Sequence, residues 1–146
     1  MVKKAEADQL QRFIFDQADV RGQLVQLRQT THEVMRRGGY PAGVQRLIGE
    51  GLAAATLLAA TLKYPSTLTL QLQSEGPLTL LLIQARSDGG LRAMARFNGE
   101  VVDGAPLSIQ APGGTLAITI EPDSESDRYQ GIVDVGGGTL AQALER

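Results

Sequence analysis

Residues 133–140, VDVGGGTL, form the stretch whose glycines could bring backbone N–H groups up to a phosphate. A helix opening directly after them, over TLAQALER, would add its N-terminal dipole to that attraction. The lysine of a Gly-Lys-Ser/Thr phosphate loop is missing, because the glycines run straight into Thr139 and Leu140. A second candidate is EPDSESD, Glu121 to Asp127, whose carboxylates could do acid–base work or hold a cation. It has neither a hinge glycine nor calcium-loop spacing, so a solvated loop between two strands is expected. His32 is the only histidine and there is no cysteine, which leaves zinc ligation and Cys–His or Ser–His–Asp catalysis without essential parts. His32 itself is expected at a solvated helix position. No residue is nominated as catalytic, cofactor-binding or metal-ligating, and an enzyme is not expected.

The elements that would carry these stretches change character along the chain. Phe13–Phe15 and Gly22–Leu27 read as two short strands separated by DQADVR. A helix is expected from Thr30 or Thr31 through Arg37, with Thr30 and Glu33 at capping-box spacing. Gly38-Gly39 stops it, Tyr40-Pro41 turns the chain, and a long helix is expected from about Ala42 to Leu62. Gly43, Gly49 and Gly51 within it are read as places of close approach to another element. From Thr67 the period becomes two: Leu68, Leu70 and Leu72 alternate with Thr69, Gln71 and Gln73, as in a half-buried strand. LTLLLIQAR reads as a strand buried on both faces. LRAMARF, TLAITI and YQGIVDV follow as further strands between turn-rich segments. Strands clustered after a helical block predict an α+β fold, with the long helix packed on a mixed or antiparallel sheet.

GLAAATLLAATLK, residues 51–63, carries no charge before Lys63. A membrane span needs about 20 apolar residues, so this shorter stretch is expected as a soluble core helix, apolar on nearly every face. Leu58→Asp is accordingly expected to place an unpaired charge in the core. The 146 residues fit one domain with enough apolar side chains for a core. Net charge is −2 with the signs interspersed, and three Phe, three Tyr and no Trp leave little for base stacking. Both features argue against nucleic acid as a partner. The start, MVKKAEADQLQRFIFDQ, holds no apolar stretch of signal-peptide length, and a cytoplasmic location is expected.

The glycine motif resembles the Asp-x-Gly-Gly-Gly-Thr hairpin of actin-like and heat-shock-seventy-type ATPases. In that family the motif lies between two strands and a second phosphate loop on a much longer chain completes the site. Phosphate or nucleotide binding through DVGGGT is therefore kept only as the alternative reading. Three phrases taken in order resemble a different family, the redox-regulated 33 kDa chaperonins. They are RFIFDQADVRGQLVQL, YPAGVQRLIGEGLAAATLLAATLKYPSTLTLQLQSEGPL and RYQGIVDVGGGTLAQALE. The central phrase is the most specific, and the likeness runs from about Arg12 to Glu145.

The resemblance implies a bacterial, cytosolic holdase that binds unfolding client proteins without ATP. It also implies an amino-terminal α+β domain, a linker, and a carboxy-terminal module whose four cysteines hold zinc until oxidation releases it. Those cysteines have no counterpart here. Residues 1–146 are thus expected to be the substrate-binding and dimerisation domain alone, with zinc and the redox switch in a missing carboxy-terminal part. LTLQLQ and LTLLLIQ are expected to lack later strands, leaving a sheet edge that pairs with that part or with a second copy in a homodimer.

Overall fold

The structure, a computed structural model, describes residues 8–124 and 127–145. The chain opens with an antiparallel ribbon, β1 (Gln9–Phe15) and β2 (Val20–Gln26), followed by helices α1 (Arg28–Gly38) and α2 (Ala42–Ala59). Then come β3 (Ser66–Gln73), β4 (Leu78–Arg86), β5 (Leu91–Phe97), the short α3 (Leu107–Gln110), β6 (Thr115–Pro122), β7 (Tyr129–Asp134) and α4 (Leu140–Leu144). The last five strands make one antiparallel sheet in the order β5-β4-β3-β6-β7, while β1 and β2 form a separate two-stranded sheet. The fold is α+β, as expected.

The sheet exists because β3 is patterned for two neighbours. Leu70 lies opposite Ile83 of β4 on one side and Ile118 of β6 on the other, and Leu72 lies opposite Leu81 and Leu116. Leu68, Leu70 and Leu72 are buried on the face that receives α2, while Thr69 and Gln71 alternate to the opposite face. Helix α2 answers with Val44, Leu47, Ile48, Gly51, Leu52, Ala55 and Ala59, which recur every three or four residues and form one stripe. Each fully buried Leu or Ile in such a contact contributes about 1.5–3 kcal/mol. Gly51 permits the approach: a Cβ there would stand 2.9 Å from Ile83 Cγ1. Gly43 does the same against the backbone, where a Cβ would stand 2.1 Å from the Val101 carbonyl oxygen. Gly49 has nothing within 4 Å, so only two of the three glycines mark a close approach.

Four expectations need correction. The long helix is not apolar all round in its environment: Leu52 is 0% exposed but Leu58 is 36% exposed. The sheet covers one side of α2 only, and small alanines made its outer side look like core. The helix also ends at Ala59, after which the N–H groups of Thr61 and Leu62 bond back three residues, to Leu58 and Ala59, in tighter turns ahead of Pro65. Strand β4 is buried on one face only. Leu80 and Leu82 stay half-exposed on the face away from α2, which no helix or second sheet covers among the described residues. Finally, β3 and β4 are not short of partners, since both lie inside the sheet with β5 and β7 at its edges.

The start of α1 also differs. Thr30 lies inside the helix rather than capping it, and Leu27 occupies the cap position without a side-chain bond. The carboxylate of Asp8 substitutes from outside, accepting from the Gln29 N–H at 2.8 Å and from the Thr30 N–H at 3.2 Å, and also from the Thr30 hydroxyl. A carboxylate there meets two unsatisfied donors and the positive end of the helix dipole. At the other end Gly39, with φ 59°, makes the left-handed turn that stops the helix.

Two pairs of variants test this packing by thermal melting. Gly49→Ala is expected to stabilise by about 0.5–1 kcal/mol, since a helix-interior glycine gains propensity without a clash. Gly43→Ala is expected to destabilise because a backbone carbonyl cannot yield. Leu52→Asp is expected to abolish the cooperative melt, whereas Leu58→Asp stays folded. Equal behaviour within either pair would contradict the one-sided stripe.

Candidate functional site

The residues with chemical potential are dispersed. His32 is exposed on α1. Beside it Glu33 pairs with Arg36 at 3.0 Å and Arg37 at 3.6 Å, and the hydrogen bond and charge of Arg36 hold its carboxyl below the usual carboxylate value. This is a surface helix pair of ordinary spacing. In the acidic stretch, Glu121 lies next to last in β6 and pairs with Arg128 at 3.2 Å, while residues 125 and 126 lie outside the described residues. Among the described residues no three His, Cys, Asp or Glu side chains converge as a metal site would require.

The glycine stretch turns from strand into helix. Gly138, with φ 101°, requires its missing side chain twice over: the conformation is left-handed, and the amide oxygen of Gln142 fills the space a Cβ would take. Thr139 caps α4 through a capping box, its hydroxyl accepting from the Gln142 N–H while its own N–H donates to Gln142 Oε1 at 3.0 Å. The carbonyl of Gly138 is occupied by the N–H of Leu107. The Thr139 N–H is thus already used, and α4 is only five residues long. Next to this turn lies a cleft of about 280 Å³ whose polar rim includes Arg46, Glu50 and Gln110. Arg46 is tied to Asp103 at 2.6 Å, and that hydrogen bond raises its already high pKa. Gln110 is 3% exposed, donates its amide N–H to the Val102 carbonyl at 2.6 Å, and leaves Oε1 without a protein partner. Sequence reasoning missed both α3 and this glutamine. The available signal was Pro106, which sits before the first helical residue and fixes φ for the entry.

Apolar surface is concentrated elsewhere. Of thirteen exposed large hydrophobic side chains among the described residues, six lie on the β1–β2 ribbon or its start and end: Leu10, Phe13, Ile14, Phe15, Val20 and Leu24. Their register explains the exposure. Phe13 lies opposite Gly22, Ile14 opposite Arg21 and Phe15 opposite Val20, so the consecutive residues Phe13-Ile14-Phe15 load both faces of a ribbon whose main neighbour among the described residues lies on one side. That neighbour is the end of α2, where the Arg12 guanidinium donates to the Ala60 carbonyl at 2.8 Å. Phe13 and Phe15 meet edge to face with centroids 5.7 Å apart, and the Phe13 ring lies over Gly22, where any Cβ would strike it. What this arrangement offers is apolar contact, not bond chemistry.

The Hsp33 protein family profile matches residues 8–146. The chain belongs to the Hsp33 family. It is 44% identical over 141 residues to a 33 kDa chaperonin of Enterobacter sp. (strain 638), covering 97% of this chain and 48% of that protein. It is 48% identical over 136 residues to a 33 kDa chaperonin of Ectopseudomonas mendocina (strain ymp), covering 92% of this chain and 45% of that protein. The chain therefore spans about half the length of the curated relatives it matches. A crystal structure of a 33 kDa chaperonin from Thermotoga maritima superposes with a TM-score of 0.81 over 95% of this chain and 49% of that one, at 17% identity. At that identity the likeness establishes a shared fold.

For this Hsp33 chain, Thr139→Ala is expected to lower stability by about 1 kcal/mol through loss of the cap. Millimolar ATP is expected to leave the melting temperature of the parent unchanged, because the Thr139 donor is already bonded. A saturable upward shift with ATP, lost on substitution of Thr139, would restore the phosphate-loop reading.

Proposed function

We infer that this chain holds unfolding polypeptides through exposed apolar surface, without ATP and without catalysing a reaction. The observation that carries the reading is the exposure of Phe13, Ile14 and Phe15, with Phe15 56% and Ile14 69% accessible. Contiguous apolar surface on a soluble protein marks interaction sites, and burial of a client's apolar area is the attraction a holdase uses. Membership of the Hsp33 family, whose relatives named above are 33 kDa chaperonins, supports the same reading. Bacterial sources of those relatives, and the absence of any described helix long and apolar enough to cross a membrane, are compatible with work in the cytoplasm.

The zinc that the family resemblance implies does not fit the residues present. A four-ligand thiolate site needs cysteines, and this chain has none and a single exposed histidine. Whatever thiol switching accompanies the family's function is assigned here to parts of the longer relatives that lie outside these residues. No step of client holding is routed through a metal. Self-association, as a homodimer or with such a further part, belongs to the same proposal, because holding and assembly draw on the same uncovered apolar surface.

The test is light scattering during dilution of guanidinium-unfolded citrate synthase. The chain is expected to suppress aggregation at low molar excess without ATP, and neither a zinc chelator nor dithiothreitol should change the result. Full client aggregation at tenfold excess of folded chain would sink the reading.

A further inference from the structure

We propose that the cleft between the first half of α2, helix α3 and the turn into α4 binds a small organic ammonium ion, a compact cationic head on a short apolar body. The site goes beyond the holding function inferred above and does not rest on it, since no residue of the ribbon lines the cleft. Donors and acceptors around it are unequally committed. The Leu107 N–H is bound to the Gly138 carbonyl, the Thr139 N–H to Gln142, and the Ala105 N–H to the Val102 carbonyl. The Gln110 side-chain N–H goes to that same Val102 carbonyl, and Pro106 has no N–H to offer. On the acceptor side, Oε1 of Gln110 has no partner among the described residues, in a side chain that is 3% exposed. The other free acceptor is the carboxylate of Glu50, whose neighbouring cation, Arg46, is already bound to Asp103 at 2.6 Å.

Charge and hydrogen-bonding capacity select the ligand. Arg46 and Asp103 offset one another, which leaves Glu50 as the uncompensated charge at the rim and Gln110 as the uncompensated acceptor below it. Both call for a ligand that donates and is positive, and a carboxylate or phosphate would only add acceptors to acceptors. An ammonium head carries three donors and no acceptor, enough for Oε1, the Glu50 carboxylate and one water. A buried acceptor left unmade carries its desolvation penalty in the free protein, so a donor that reaches Oε1 contributes more than an exposed hydrogen bond does. Leu47, Leu107 and Leu140, with Pro106, give apolar walls for the body of the ligand. At about 280 Å³ the cleft is smaller than the roughly 300–1,000 Å³ of sites for drug-sized ligands, so a body of a few carbons fits and a nucleotide does not. Oε1 is closed to solvent, and binding therefore moves the turn at Val102 to Pro106, which Gln110 holds through the Val102 carbonyl. The same head is carried by a free amine and by a lysine side chain.

The test is nitrogen–proton correlation NMR of the chain at constant ionic strength, titrated with n-butylammonium chloride, with the blocked peptide acetyl-Gly-Lys-Gly-amide, with sodium butyrate and with n-butanol. Butylammonium is expected to give saturable shifts in the Gln110 side-chain amide and in the Ala105 and Leu107 backbone amides, half-complete at about millimolar concentration. Butyrate and butanol are expected to leave those signals in place. Glu50→Gln, at an exposed helix position, is expected to keep the fold and to raise the half-saturating concentration about fivefold or more. Gln110→Met, similar in size but without the amide acceptor, is expected to abolish saturation; if that variant unfolds, Glu50→Gln and the butyrate control decide. Saturation by the peptide as well as by butylammonium assigns the head to a lysine side chain, and saturation by butylammonium alone assigns it to a free amine; either supports the site. No saturable shift up to about 50 mM butylammonium means that water alone meets Gln110 Oε1, and it overturns the site. Equal shifts from butyrate or butanol, or a Glu50→Gln curve that matches the parent, overturn it too.

Discussion

The contact between one stripe of α2 and one face of the β3–β4–β6 sheet is the constraint on which the rest of the molecule depends. Leu52 at its centre is completely buried, Gly51 lets the helix axis come down onto Ile83, and Gly43 lets its first turn come down onto the Val101 carbonyl. Because the helix approaches this closely, the side chains between it and the sheet are fixed in number and size. Leu47, Ile48 and Leu52 from above meet Leu68, Leu72, Leu81 and Ile83 from below. Small alanines at Ala55 and Ala59 continue the stripe toward the helix end, where larger residues would lift the helix away. Everything else is attached to this two-layer core: α1 and the ribbon at one end, α3 and α4 at the other.

That core uses one face of the sheet and one side of the helix, so what remains outside is set by what the two layers cannot cover. For most of the surface the chain provides polar residues, as with the Thr and Gln positions of β3. The ribbon is where exposed apolar side chains are densest among the described residues. Three apolar residues in a row cannot all turn inward from a strand, and α2 offers cover on a single side. The chain holds the ribbon in place by polar means instead: the Arg12 bond to Ala60 on one strand, and the Asp8 carboxylate bridging from the residue before β1 to the first turn of α1. Apolar residues that would be expected to drive folding are thereby kept at the surface by bonds that do not consume them.

Much of this architecture was legible in the sequence. The switch from a period near 3.6 to a period of two at Thr67 marked the boundary between helical block and sheet, and the turns at Gly38-Gly39 and SDGG fell where glycines permitted them. The illegible parts have physical causes. Asp8 caps α1 from twenty-one residues away, so no local spacing announces it. Alanine fits a helix whether it faces a sheet or water, so the exposed side of α2 could not be told from its buried stripe. A run such as LTLLLIQAR reads as doubly buried, yet whether a second layer covers Leu80 and Leu82 depends on the rest of the chain. The candidate site was least legible of all. Chemistry that makes or breaks bonds demands particular groups at particular spacings, whereas apolar docking demands only exposure, and exposure is a property of the fold.

This difference also separates the ribbon from the one motif with an apparent chemical signature. The glycines of VDVGGGTL are required by the turn from β7 into α4: Gly138 adopts a left-handed conformation and makes room for Gln142, whose amide closes the capping box with Thr139. The same geometry that needs the glycines uses the Thr139 N–H in the capping box of α4. By contrast Phe13, Ile14 and Phe15 remain exposed, although the two rings meet edge to face and Phe13 covers Gly22. Residues that satisfy the fold are explained by the fold; exposed residues that cost it apolar burial are not. On that criterion the glycine loop is accounted for by the fold, whereas the exposed apolar residues of the ribbon are not.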